Sequence, residues 1–74
     1  MEIGYYFTFD TISEALRFEK ELKNSNIYVK LMPVPRRFSS SCGTCAAIKK
    51  NDLIKVELLI SEKNLFYHEL YDNK

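Results

Sequence analysis

The stretch Ile27-Tyr-Val-Lys-Leu-Met-Pro-Val-Pro-Arg-Arg-Phe-Ser-Ser-Ser-Cys-Gly-Thr-Cys-Ala-Ala-Ile-Lys49 decides the fold. Ile27, Val29 and Leu31 alternate with Tyr28 and Lys30, the period-two pattern of a strand with one buried face. Pro33 and Pro35 cannot donate ladder hydrogen bonds, so regular pairing is expected to end there. From Pro33 to Gly43 the chain is rich in Pro, Ser and Arg, and this is its one long loop. Thr44 to Lys49 is a short, moderately apolar run through Cys45, Ala46, Ala47 and Ile48, read as the next strand although it is poor in β-branched residues. Two strands therefore follow one another in the middle of the chain.

Each half of the chain adds a strand and a helix to this centre. Upstream, Ile3, Tyr5, Phe7 and Phe9 alternate with Gly4, Tyr6 and Thr8, which predicts an opening strand. Thr11-Ile-Ser-Glu14 is a capping box, in which the Thr11 hydroxyl accepts from the Glu14 N–H and the Glu14 carboxylate reaches back. Ile12, Ala15, Leu16 and Leu22, with Phe18 beside them, give the helix its apolar stripe, and polar Asn24–Asn26 ends it. Downstream, Asn51 or Asp52 can cap a second helix carrying Leu53, Val56, Leu59 and Ile60, widened by Ile54 and Leu58. Asn64 is a left-handed stop, and Leu65 to Tyr71 is an aromatic-rich closing strand. The order βαββαβ predicts an α+β, ferredoxin-like sandwich: a four-stranded antiparallel sheet with two helices on one face. The first two strands lie parallel across their helical connection. The other face of the sheet is open, and Tyr6 and Tyr28 project from it.

Length and composition bound the function. The 74 residues make a single domain, 1–74, and 46% of them are apolar, with five Phe and five Tyr. That supports one compact core and little room for a substrate pocket, so chemistry belongs at the surface. Eleven basic and ten acidic residues leave a net charge of +1, which is no footprint for nucleic acid or an anionic membrane. No apolar run approaches a bilayer span and no signal sequence opens the chain, so the expected location is cytoplasmic.

The two cysteines, Cys42 and Cys45, are spaced C-x-x-C. A bridge between them would close almost no loop and stabilise little, so the pair reads as chemistry. Around Cys42, Pro35 stiffens the approach, Arg36 and Arg37 bring permanent charge, and Ser39, Ser40 and Ser41 offer hydroxyls and backbone N–H groups. Gly43 permits unusual backbone angles and leaves the sulfur unobstructed. Cationic neighbours and N–H donors favour the thiolate, so Cys42 is expected to be a nucleophile with a lowered pKa. The plainer reading is a solvated loop with an incidental cysteine. Zinc is disfavoured, because two cysteines and His68 cannot supply a four-ligand cysteine/histidine site in one chain. A thioredoxin-like site would open a helix, whereas this pair enters a strand. A reversible disulfide, with Cys45 resolving what Cys42 carries, ranks above both.

The segment Met32-Pro-Val-Pro-Arg36 followed by Ser39-Ser-Ser-Cys-Gly43 resembles the loop of the putative selenium/sulfur carrier-like family, and the resemblance extends over nearly the whole chain. It implies that Cys42 holds sulfur or selenium as a persulfide or selenosulfide. Arg36 and the Ser39–Ser41 backbone would shape and polarise its surroundings. It also implies a cysteine desulfurase-like donor protein and an acceptor protein, with no cofactor and no metal. Arg37-Phe38 and Cys45 depart from the family pattern. Other classes compete with this reading. One is a small thiol-redox or interaction module, with a homodimer through the open sheet face. Another is RNA binding, with Tyr6, Tyr28 and Tyr67 as base-stacking residues. A conventional enzyme lacks an evident acid/base pair here.

Overall fold

The computed structural model describes residues 3–38 and 43–73. The expectations for Ser39, Ser40, Ser41 and Cys42 lie outside the described residues. The elements are β1 (Ile3–Thr8), α1 (Ile12–Asn24), β2 (Lys30–Pro33), β3 (Thr44–Lys49), a 3-10 turn (Lys50–Asp52), α2 (Leu53–Lys63) and β4 (Leu70–Asp72). The sheet order is β2-β3-β1-β4, and every adjacent pair is antiparallel. This is the ferredoxin-like arrangement, with β1 and β2 parallel to one another through their shared neighbour β3.

Both helices start and stop for local reasons. Glu14 N–H donates to the Thr11 hydroxyl at 3.2 Å, while the Glu14 carboxylate accepts from the Asp10 N–H at 3.3 Å, one residue further back than a standard capping box. At the far end Asn26 takes a left-handed φ of 60°. The N–H of Ile27 then donates to Leu22 O at 2.9 Å and that of Asn26 to Lys23 O at 3.0 Å, a Schellman closure. Helix α2 stops the same way, at Asn64 with φ 53° and Leu65 N–H on Ile60 O. The Arg17 guanidinium of α1 reaches across to Asn64 O and Lys63 O at 3.3 and 2.7 Å, satisfying carbonyls left open at that helix end.

Several boundaries differ from expectation. Strand β2 begins at Lys30 rather than Ile27, because the Ile27 N–H is committed to closing α1. Pro33 stays within β2, opposite Thr44, which an edge strand allows. Strand β4 is confined to residues 70–72, and the expected start at Leu65 is an irregular segment tied to the helix end. Neither Asn51 nor Asp52 caps α2 through its side chain, since the 3-10 turn leads into the helix. Ile12, Leu16, Ile54 and Leu58 face water. The stripes are narrower than the sequence pattern, and only Ala15, Phe18, Leu22, Val56 and Leu59 are buried from the two helices.

The main core lies between helices and sheet, around Phe7, Phe18, Leu22, Ala46, Ile48 and Val56. The small side chain of Ala46 lets α1 settle against the central strand β3. A register shift between Ile3 and Tyr5 places Ile3 with the cluster on the other face, together with Tyr6 rather than Tyr5. Gly4 sits in this shift, and a Cβ there would lie 2.3 Å from Lys50 Cα, so glycine is required by close backbone approach.

Candidate functional site

The face of the sheet away from the helices is not bare. Tyr6, Cys45 and Ala47 form a second buried cluster, with Ile3, Met32, Val34, Phe38 and Tyr71 packed against it. Part of that cover comes from the loop between β2 and β3. The loop has a tight neck: Val34 N–H donates to Gly43 O at 3.0 Å, continuing the ladder one residue past Pro33 and Thr44. Phe38 N–H then donates to Pro35 O at 3.0 Å, a reverse turn with Arg36 and Arg37 at its exposed centre. Cys42 is the residue next to the neck in the chain.

The turn returns the chain onto the sheet. The Phe38 ring stacks on Tyr71, with centroids 4.7 Å apart and planes 13° from parallel, and meets Tyr6 at 5.3 Å in a tilted contact. The Arg37 guanidinium lies 4.7 Å from the centre of the Phe38 ring and donates to the Asn73 side-chain carbonyl. Asn73 is itself fixed to the first strand. Its amide donates to Ile3 O at 2.8 Å and its backbone N–H to Gly4 O at 2.9 Å. Arg37, one of the two arginines expected near the thiol, is engaged by the C-terminal strand segment. Sequence reading passed over Phe38, Tyr71 and Asn73 as site residues. The signal was an aromatic residue in an otherwise polar loop.

Cys45 is a free thiol excluded from solvent in central strand β3. It donates weakly to Pro33 O at 3.8 Å. Burial pushes its pKa up to about 11, so at neutral pH it is a neutral thiol. A resolving thiol needs exposure and thiolate character, and Cys45 has neither in this state. Gly43 is not in the left-handed region. A Cβ there would meet only Val34 Cγ2, at an ordinary 3.7 Å. The left-handed backbone angles that a glycine permits are not taken up at Gly43.

The three tyrosines considered for base stacking do not share a platform. Tyr6 is buried under Phe38, Tyr28 lies 5.5 Å from the Lys49 ammonium, and Tyr67 packs edge-on to Phe7 on the helix side. His68 is exposed between the carboxylates of Asp10 and Glu69, at 3.2 and 3.4 Å. Among the described residues no three His, Cys, Asp or Glu side chains come together to hold a metal ion. No helix among them is long and apolar enough to cross a membrane.

These features define a class: a small βαββαβ domain whose conspicuous polar loop joins its two middle strands and includes a cysteine in its sequence. A family model described as Putative Se/S carrier protein-like matches residues 4–72. The chain belongs to that family. No curated protein and no solved structure matches the chain.

Proposed function

We propose that this chain carries sulfur or selenium on Cys42, as a persulfide or selenosulfide, between a cysteine desulfurase-like donor and an acceptor protein in the cytoplasm. The observation that carries the reading is the family match across residues 4–72. The architecture suits the task, because a carrier needs a reactive sulfur on a small body with room for two successive partners, and no substrate pocket. In loading, the Cys42 thiolate attacks the outer sulfur of the donor persulfide. One S–S bond breaks, another forms, and the donor thiolate leaves, so no external oxidant is needed. In this reading the role of Arg36 and Ser39–Ser41 is to favour the thiolate form of Cys42.

Intact mass, measured without reductant after incubation with a cysteine desulfurase and cysteine, tests this. The expected result is a gain of one sulfur atom that Cys42→Ser abolishes and Cys45→Ser retains. A loss of two hydrogens alone would identify a redox disulfide instead. No change in the parent chain would remove the carrier reading.

A further inference from the structure

The side of the sheet without helices should leave a central-strand side chain wet, yet Cys45 there has no solvent exposure. The buried cluster it shares with Tyr6 and Ala47 is packed over in part by two residues of the loop that leads to Cys42, Val34 and Phe38. We propose that Phe38 and Tyr71, backed by the Arg37–Asn73 tie, form a clamp. The clamp positions the leading arm of this loop on the sheet and keeps Cys45 sealed from sulfur carried on the same loop. The cargo in this statement rests on the carrier reading, but the clamp itself does not.

Four contacts converge on the clamp, three of them between parts of the chain far apart in sequence. The Phe38 ring is held on one side by the parallel stack with Tyr71 and on another by the tilted contact with Tyr6. The guanidinium of Arg37 lies against the same ring. That guanidinium is fixed by Asn73, whose two bonds to Ile3 O and Gly4 O anchor it to a central strand. Stacking of this geometry is favourable beyond the area it buries, and the cation adds to it.

The clamp settles a chemical conflict in the sequence. A Cys45 thiolate within reach of a persulfide on Cys42 would attack the inner sulfur, form the Cys42–Cys45 disulfide and expel hydrosulfide. The selenosulfide would likewise expel hydroselenide. That step balances without an added oxidant and would discharge the cargo before an acceptor arrived. With the clamp closed, Cys45 is both covered and protonated, so the cargo persists. An acceptor that engages the Arg36–Phe38 turn and lifts it would expose Cys45 at the moment of release.

The test uses a Cys42→Ser chain, in which Cys45 is the remaining thiol, and follows iodoacetamide labelling without denaturant. Phe38→Ala is expected to raise the labelling rate at least about tenfold, since a buried site reacts through local opening. Phe38→Tyr, which keeps the stack, should return it close to the parent rate, and Asn73→Ala should give an intermediate rate. Circular dichroism confirms that each variant is folded. Equal rates for a folded Phe38→Ala and its parent, or failure of Phe38→Tyr to restore protection, would overturn the clamp. Should Phe38→Ala not fold, an unchanged rate in Asn73→Ala overturns it, and a raised rate supports it. These measurements involve no cargo, so they stand or fall separately from the mass experiment.

Discussion

Cys45 couples the buried thiol to the stability of the whole chain. Its pKa rises from an ordinary 9.0 to about 11 in the fold because burial disfavours the thiolate. Between those values the unfolded chain has released this proton and the folded chain has kept it. The unfolded state then binds fewer protons, so stability falls as pH rises. The contribution is complete below about 9 and lost through about 11, at most roughly 3 kcal/mol for a shift of this size. Urea unfolding at stepped alkaline pH should show this loss in the parent. Cys45→Ala, costing about 1 kcal/mol at neutral pH, should flatten the same window. Equal slopes in the two proteins would contradict the buried-thiol account. The sequence marked Cys45 as notable through its C-x-x-C spacing. It could not show the side chain's direction, because that depends on the register of β3 against β1 and β2, which one-residue slips would invert.

Among the elements, the helix ends were the most legible in sequence. Thr11, Glu14 and Asn64 announced themselves because their side chains or backbone preferences act within four residues. Asn64 carries a testable cost, for it holds a φ of 53° at the end of α2. Asn64→Gly should be neutral or stabilising, whereas Asn64→Ala should destabilise by about 1 kcal/mol, as thermal or urea unfolding would show. The strand ends were less legible. Ile27 and Val29 have strand periodicity, but the Ile27 N–H closes the Schellman turn instead. Leu65 is likewise spent at the end of α2, which shortens β4. In both places a backbone donor had two possible uses, and alternation of side chains does not say which one wins. The exposed apolar pairs Ile12/Leu16 and Ile54/Leu58 were read as core for a related reason. Their spacing fits a helical stripe, but the sheet covers only a narrower band of each helix.

At the scale of the whole molecule, the fold class followed from the order of strands and helices. The covered state of the second sheet face did not, because nothing local in Phe38 and Tyr71 says that they meet. The two faces should differ in how they open. Amides of β1 and β3, paired on both sides, should exchange with deuterium only through global unfolding. Those of Val34, Phe38 and Asn73 should exchange earlier, through local release of the clamp. Native-state hydrogen exchange read by NMR would test this, and uniform protection across both groups would refute it. Pro33 has a further consequence at the sheet boundary. Val34 and Gly43 are a hydrogen-bonded pair, so alternation along the antiparallel ladder turns the Pro33 nitrogen outward. A nitrogen without hydrogen there leaves Leu31 as the outward donor of β2, on a strand four residues long that opens with exposed Lys30. Such an edge is a poor template for a visiting strand, and concentrated protein is guarded there against stacking into fibrils.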